Sequence, residues 1–214
     1  MGRATARAPM EKLSALKSPL FKLLVDELDE SSRHVALDLG AVSTQMLSLL
    51  GGFRCCVEIA DLVRNGGLEQ LNAEQEPDER LATAESLLPE HRVGDPVDLV
   101  YCWDLLNYLK PAAISALMAA IGTRAHPDTR AHALIVYSER TMPDRPGRWM
   151  PPEPGILVDH AVASPAMIDA PRYSPEFLGR IMGGVAIEHA RLLANGMQEF
   201  VFRFRESGGP PCRF

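Results

Sequence analysis

The stretch ALDLGAVSTQML, residues 36–47, predicts a buried strand that turns directly into a helix. The apolar run ends around Asp38 and Gly40, as a ligand-binding turn requires. Val42 and Thr44, however, stand at the alternate positions where such turns usually carry glycine. Because a β-branched residue tolerates a positive φ poorly, the turn either binds a ligand with its backbone at negative φ or is a closed corner. Thr44 could instead serve as the N-cap of the helix.

The composition is that of a globular chain of 214 residues with a net charge of −6. With this negative net charge the sequence shows no basic patch of the kind that binds nucleic acid, so we expect no nucleic-acid partner. No apolar run approaches the roughly 20 residues that cross a bilayer, and the first ten residues lack the apolar core of a signal peptide. Four cysteines without disulfide or CxxC spacing, and six histidines without ligand spacing, indicate a reduced, cytoplasmic protein with no membrane and no metal site.

The spacing of apolar residues predicts the secondary structure. Leucines at three- and four-residue steps indicate a helix over roughly 10–29, so residues 1–33 are expected to form an N-terminal tail and helix before a domain of residues 34–214. RLATAESLL (80–88) could be a strand or a helix. Strands are predicted at HVALDLG (34–40), FRCCVEIADL (53–62), VDLVYCWDLL (97–106) and AHALIVYSE (131–139).

Helices are predicted between these strands, at PAAISALMAAI (111–121) and SPEFLGRIMGG (174–184). Asn195-Gly196 lies between two β-rich runs and predicts a closing hairpin over 185–205. The alternation predicts an α/β fold: a Rossmann-like, mostly parallel seven-stranded sheet with helices on both faces and the C-terminal antiparallel hairpin at one edge.

Residues 141–155, TMPDRPGRWMPPEPG, contain five prolines and two glycines. We expect this Pro-rich insert to lie over or beside the carboxyl ends of the strands as a lid, without joining the sheet. An exposed Trp149 and Met150 in it would offer a surface to a protein partner.

This order of motifs resembles the class I S-adenosylmethionine-dependent methyltransferases over about residues 34–205. ALDLGAVST is similar to the first motif of that family, an apolar strand followed by an acid and a glycine-rich turn. CCVEIADL (55–62) is similar to the second, in which an acid binds the ribose hydroxyls, and VDLVYCWDLLNYL (97–109) to the fourth strand, with Asn107 in place of the common histidine. The resemblance implies S-adenosylmethionine as the cofactor and a small molecule or a protein as the methyl acceptor.

The resemblance also implies which residues would bind the cofactor. Asp38, Gly40 and Val42 belong to the turn after the first strand, where ligands of open parallel sheets bind. Asp61 fits the spacing of the hydroxyl-binding acid better than Glu58 does, and its carboxylate could accept two hydrogen bonds.

Glu85 precedes the fourth strand, where the family often places an acid near the adenine, and Trp103 follows that strand and could stack on the ring. Structural roles remain open alongside these. Asp38 could cap the helix over 44–50, Asp61 could be the N-cap of the helix after it, and Trp103 could belong to the core.

Asp104, Asn107 and Tyr108 are the candidates to orient or deprotonate the acceptor. Two functions are therefore predicted: a methyltransferase, or a methyltransferase-like protein that lacks catalysis and binds a partner. The absence of G-x-G-x-x-G and of a Gly-Lys-Ser/Thr loop argues against dehydrogenases and P-loop enzymes.

Overall fold

The computed structural model describes residues 15–91, 94–160 and 166–205. In chain order its elements are β1 (Ala15–Lys17), α1 (Pro19–Asp26), β2 (Arg33–Asp38), α2 (Thr44–Leu50), β3 (Arg54–Ile59), α3 (Gly67–Asn72), α4 (Pro77–Leu87), β4 (Val97–Trp103), a 3-10 turn (Leu105–Tyr108), α5 (Pro111–Gly122), β5 (Ala125–Val136), β6 (Thr141–Pro143), β7 (Trp149–Glu153), β8 (Ile156–Asp159), β9 (Met167–Asp169), α6 (Pro175–Ile181), β10 (Val185–Leu192) and β11 (Met197–Phe204).

The main sheet has the strand order β10-β11-β5-β4-β2-β3. Strands β3, β2, β4 and β5 pair in parallel, whereas β11 runs antiparallel to both of its neighbours. The chain leaves β2 for β3 on one side and then crosses back to β4 on the other. The crevice between the carboxyl ends of β2 and β4 is therefore the topological switch point, where ligands of such sheets bind. The predicted mostly parallel, Rossmann-like sheet is confirmed.

The sheet has six strands, so the prediction of seven was wrong. The chain between β3 and β4 forms the helices α3 and α4 instead of a further strand, and RLATAESLL lies in α4 and the residue after it. Pro77 opens α4 at its first turn, and the Glu76 N–H donates to Glu79 Oε2 at 3.4 Å. Alanine, leucine and glutamate favour a helix over a strand, and the N-terminal cap adds to that preference. As a result β3 lies at the edge of the sheet.

Helices cover both faces of the main sheet, as predicted. Val35 and Leu37 of β2 face a core formed with α3, α4, α5 and α6. Ala36, between them, faces the opposite core with α1, α2 and the small sheet β1-β8-β7. This alternation is the two-residue period of a strand buried on both sides. None of the helices in the described ranges is long and apolar enough to cross a membrane.

The N-terminal segment differs from its prediction. Helix α1 begins only at Pro19, because proline is favoured at a first helical position, and residues 15–17 pair as β1 with β8. The remainder of the predicted helix before residue 15 lies outside the described residues. The buried carboxylate of Glu199 on β11 accepts the N–H groups of Leu20 (3.1 Å) and Phe21 (2.9 Å), so the start of α1 is fastened to the sheet.

The C-terminal hairpin pairs β10 with β11 through a turn at Asn195-Gly196, where Gly196 has a φ of +82°. Its register shifts once, between Ile187 and His189. Strand β10 lies at the edge, and β11 lies between β10 and β5.

Candidate functional site

The turn after β2 keeps its backbone at negative φ throughout residues 40–44. Ser43 is the N-cap of α2 and accepts the Met46 N–H at 3.3 Å, so the expectation that Thr44 or Asp38 caps this helix was wrong. Val42 is 41% exposed at the top of the turn. A β-branched residue is therefore accommodated here without backbone strain, and a glycine at position 42 is not required by the conformation.

Trp103, at the end of β4, packs directly on Gly40. Its indole Nε1 donates to Asp38 Oδ1 at 2.6 Å, and the Gly40 N–H donates to the same oxygen at 2.9 Å. A Cβ added to Gly40 would lie 2.6 Å from Cδ1 of the indole, a separation that real Cβ atoms do not show. The glycine of the turn therefore makes room for a side chain of the protein itself.

Asp38 is buried behind this indole. Burial raises the pKa of its carboxyl to about 6, although the hydrogen bonds from Trp103 and Gly40 act in the opposite direction. The Trp103 ring stacks on Tyr101 with a 5.6 Å separation of centroids, and Phe21 of α1 lies 5.9 Å away. With only 3% of Trp103 exposed, the indole in this position has little free face for a ligand.

Two of the strand ends that surround β2 carry strained residues. Trp103 has a φ of +50° and Asp61, two residues after β3, has a φ of +43°. For residues other than glycine this conformation costs about 1–3 kcal/mol each, and such strain concentrates at functional sites. Asp61 accepts the Arg64 N–H at 3.2 Å and its side chain remains 15% exposed. It caps a turn, not a helix, since residues 62–66 are non-helical.

A cavity of about 490 Å³ opens above these strand ends, and we call it the switch-point cavity. It lies within the size range of ligand pockets, which is roughly 300–1,000 Å³. Arg64 and Arg148 contribute positive charge to its wall. It is lined by residues 40–42, 63, 64, 103, 105 and 146–148, which come from the ends of β2, β3 and β4 and from the Pro-rich insert.

A second cavity of about 820 Å³ adjoins it, and we call it the outer cavity. Val63 and Pro146 line both, so the two cavities share part of a wall at these side chains. Tyr108 and Tyr173 provide aromatic surface in the outer cavity. The Tyr108 hydroxyl donates to the Arg145 carbonyl at 2.7 Å, which ties the insert to this wall.

The Pro-rich insert does not join the main sheet. Its residues form β6 and β7, which pair with β9 and β8 in two small sheets. Residues 142 and 144–148 line the two cavities beyond the carboxyl ends of the strands. Trp149 is buried and Met150 is half-buried, so the expectation that both are exposed was wrong.

The structure brings Gly40, Val42 and Trp103 together in the switch-point cavity, with Asp38 behind them. Asp61 is next to the lining residues Val63 and Arg64 in the chain but does not itself line the cavity.

Glu58 and Glu85 lie elsewhere. Glu58 points from within β3 to His91, with 3.3 Å between Oε1 and Nδ1. Glu85 is exposed on α4 and lines neither cavity, so the structure does not support its predicted contact with the cofactor. The reason is the same as for the missing strand: its segment is helical.

Asp104 and Asn107 are engaged in fixing the backbone. Asp104 Oδ2 accepts the Gly147 N–H at 2.9 Å, and burial raises the pKa of Asp104 to about 7. Asn107 lines the outer cavity, but its amide donates to the Asp104 and Leu134 carbonyls and accepts the Val136 N–H. Of the three predicted catalytic residues, Tyr108 is half-buried, whereas Asp104 and Asn107 are buried.

Three features of the site were missed by sequence reasoning. Arg64 and Arg148 supply its positive charge, and Gly147 fastens the insert. Arg64 follows Asp61 by three residues, so its position near the candidate hydroxyl-binding acid could have been inferred from that spacing. Nothing in the sequence connects positions 147 and 148 with residues more than 40 positions earlier.

No protein-family model matches the chain, and no curated protein matches its sequence. Among solved structures it is similar to the pyocyanin biosynthetic protein PhzM, with a TM-score of 0.47 and 15% identity over 86% of this chain; it spans about half of that protein, 54%. It is also similar to the glycopeptide N-methyltransferase MtfA complexed with (S)-adenosyl-L-methionine, with a TM-score of 0.49 and 14% identity over 94% of this chain and 100% of that one.

A third likeness is to the Burkholderia thailandensis 1,6-didemethyltoxoflavin-N1-methyltransferase with bound 1,6-didemethyltoxoflavin and S-adenosylhomocysteine. Its TM-score is 0.48 and its identity 17%, over 88% of this chain and 76% of that one. With TM-scores below 0.5 and identities below 25%, these likenesses do not establish a family for the chain.

Proposed function

We propose that the chain is an S-adenosylmethionine-dependent methyltransferase that acts on a small-molecule or protein acceptor. The observation that carries the proposal is the position of the switch-point cavity. It lies at the carboxyl ends of three neighbouring parallel strands, at the point where the chain connections diverge, which is where nucleotide-like ligands bind such sheets. Asp61, with its strained backbone, stands at the end of β3 beside it.

The residues present fit this cofactor in two respects. The Asp61 carboxylate accepts one backbone N–H, has the exposed Arg64 Nε 4.0 Å from Oδ2, and keeps lone pairs for a pair of vicinal hydroxyls. Arg64 and Arg148 line the cavity and would pair with the carboxylate of the cofactor's amino-acid portion. In a third respect the fit is poorer, because the Trp103 indole covers Gly40.

The outer cavity is the proposed acceptor site, because it shares part of a wall with the cofactor cavity at Val63 and Pro146. When bound, S-adenosylmethionine supplies a methyl group on a sulfonium sulfur, and its in-line displacement depends mainly on positioning. The side chains of this chain would provide that positioning. Tyr108 presents an aromatic wall, and Asp104 acts through Gly147 to hold the insert over both cavities.

Calorimetry with S-adenosylmethionine and S-adenosylhomocysteine tests the proposal. We expect binding to the parent and a roughly ten- to hundredfold weaker affinity in Asp61→Ala, because charge-assisted hydrogen bonds worth about 1.5–3 kcal/mol are lost. Glu85→Ala is the matched control: it removes an exposed acid of α4 that lines neither cavity, and its affinity should equal that of the parent. No heat at millimolar concentrations of either compound, from the parent and from a variant without the Trp103 indole alike, would contradict the proposal.

A second candidate function, a partner-binding protein without catalysis, is favoured by one observation. Val42 and Val63 are exposed apolar side chains at the switch-point cavity, and the indole already occupies the space over Gly40. Under this alternative, neither S-adenosylmethionine nor S-adenosylhomocysteine gives heat with the parent or with a variant in which the Trp103 indole no longer covers Gly40.

A further inference from the structure

The geometry points to Trp103 as a movable gate of the switch-point cavity, closed in this structure by its hydrogen bond to Asp38 and displaced when the ligand enters. This inference rests on the proposed function, because it concerns how the cofactor reaches the turn after β2. It assigns to Trp103 a position that changes on binding, in place of the fixed stacking surface expected from the sequence.

The first support is that the indole occupies the ligand-binding side of the turn. The two polar groups there, the Gly40 N–H and Asp38 Oδ1, bond to each other, and Asp38 Oδ1 also accepts the indole N–H. The close approach that a glycine allows is taken by Cδ1 of the ring. Gly40 lines the cavity, but a ligand can take the space beside its Cα that the missing side chain leaves only after the ring has moved.

The second support is that the closed position is held by compensating contacts. The backbone of Trp103 is in the left-handed region, which a bulky residue adopts only when its surroundings hold it there. The hydrogen bond to Asp38, the stack on Tyr101 and the Phe21 ring behind it supply that hold. Weakening one of these contacts should therefore release the indole.

The third support is that there is space for the ring to move into. Trp103 forms part of the wall of the switch-point cavity, so a rotation away from Asp38 places the indole along the edge of this volume of about 490 Å³, where it can remain in contact with the ligand. Residues 146–148 of the insert form the opposite wall. The closed indole thus separates the buried carboxylate of Asp38 from this cavity.

Fluorescence of Trp103 tests the gate directly. The chain has two tryptophans, so Trp149→Phe leaves Trp103 as the sole tryptophan, whose emission is isolated from that of the four tyrosines by excitation at the red edge of the absorption band. Trp149 lines neither cavity, but its indole lies beside Asp104 and Gly147, so calorimetry on Trp149→Phe must first show that the affinity of the parent is retained. On addition of S-adenosylhomocysteine we expect the emission of Trp103 to shift to longer wavelength and its quenching by acrylamide to rise. An unchanged signal, while calorimetry reports binding, overturns the gate and leaves the proposed function standing.

Trp103→Phe supplies the second measurement. Phenylalanine keeps a ring on Tyr101 but cannot donate to Asp38, so the closed position is weakened and binding of S-adenosylhomocysteine should tighten roughly tenfold. A gain of binding in this variant when the parent shows none also supports the gate. Equal or weaker affinity in a variant that melts as the parent does overturns it. Absence of binding in both proteins overturns the gate and the proposed function together.

Discussion

The backbone N–H of Gly147 donates a 2.9 Å hydrogen bond to Oδ2 of Asp104, and this bond joins the Pro-rich insert to the end of β4. A Cβ at position 147 would lie 2.7 Å from the indole nitrogen of Trp149, so only glycine fits there. Asp159 accepts the neighbouring Arg148 N–H at 2.9 Å. The part of the insert that lines the cavities is thereby held at two successive residues.

Asp104→Ala should destabilise the protein and loosen the insert. It leaves the Gly147 N–H without its acceptor, which costs about 1–3 kcal/mol, while Asp104→Asn retains an acceptor oxygen and should cost less. Urea unfolding measures the difference between the two variants. Limited proteolysis should cut within residues 141–155 faster in Asp104→Ala than in Asp104→Asn, and equal rates would contradict the anchoring role.

The lid role of the insert predicts protection by a ligand. If the insert closes over the switch-point cavity, saturating S-adenosylhomocysteine should slow cleavage within residues 141–155, because Arg148 would contact the ligand. Cleavage elsewhere in the chain provides the internal control. Identical rates with and without the compound, in a protein that binds it, would show that the insert is not a lid.

Stability should fall as the pH rises through the range in which Asp38 and Asp104 ionise. Burial raises the pKa of Asp38 to about 6 and that of Asp104 to about 7, above the ordinary value of 3.8. The folded state therefore binds more protons than the unfolded state between about pH 4 and 7, and the stabilisation present below pH 4 is lost across that window. The loss is on the order of 2–4 kcal/mol for each group.

Asp104→Asn isolates the part of this pH-dependent loss of stability that comes from Asp104. The amide does not ionise, so the difference in unfolding free energy between variant and parent should shift in favour of the variant as the pH rises from 4 to 8. Glu85→Asn, at an exposed position of α4, is the control and should show no such trend. Parallel pH profiles for parent and Asp104→Asn would contradict the raised pKa.

The central strands of the main sheet were predictable because their signal is local. β2, β4 and the second half of β5 are short apolar runs with buried residues on both faces. The polar first half of β5 and the short strands β1 and β6–β9 were not predicted. The seventh strand was expected from the alternation of strands and helices, and residues 80–88 could be a strand or a helix. The composition of residues 77–87 favours a helix, and this local propensity prevailed.

The site was predictable only in part, because its key contact joins distant residues. The sequence places Asp38, Gly40 and Trp103 at strand ends, but not the indole on the glycine. That contact depends on the positive φ of Trp103 and on rings from α1 and β4, which lie up to about 80 positions apart. A turn that lacks two glycines could therefore be recognised as unusual, but the side chain that fills it could not be identified.

Glu199→Ala should be strongly destabilising. Burial acts to raise the pKa of Glu199, but hydrogen bonds from His132, Ser18 and the Phe21 N–H outweigh it and lower the pKa overall. Removing the carboxylate leaves the start of α1 and the buried His132 without their partner, which costs about 3–5 kcal/mol. Thermal or urea unfolding measures the loss.

The pH dependence of this contact has the opposite sign to that of Asp38. Because the pKa of Glu199 is lowered, its contribution is present above its ordinary value and is lost as the pH falls below about 4.5. The cost of Glu199→Ala should therefore shrink in acid. Glu188→Ala, which removes a half-buried partner of Arg130 on the edge strand β10, is the comparison and should cost much less. Equal losses in the two variants would contradict the role assigned to Glu199.

Val42→Gly should preserve or tighten cofactor binding and lower stability slightly. The backbone at position 42 is already at negative φ, so glycine brings no conformational relief, while removal of an exposed side chain enlarges the switch-point cavity. The greater freedom of glycine in the unfolded chain costs about 1 kcal/mol. Calorimetry with S-adenosylhomocysteine and urea unfolding measure the two effects. Weaker binding than in the parent would mean that Val42 itself contacts the ligand.

Gly40→Ala tests whether the glycine serves the indole or the ligand. The new Cβ would lie 2.6 Å from Trp103 Cδ1, so the substitution should destabilise the parent by displacing the ring. In a Trp103→Leu background the ring is absent, and the same substitution should cost little. Unfolding of the parent, the two single variants and the double variant gives the coupling energy. We expect it to be about 1–3 kcal/mol, since the effects of substitutions at residues in direct contact are not additive. Gly52→Ala, at a position where a Cβ meets its nearest neighbour at 3.8 Å, should show no coupling to Trp103. A coupling energy near zero for Gly40 would mean that the glycine is needed for something other than the Trp103 contact.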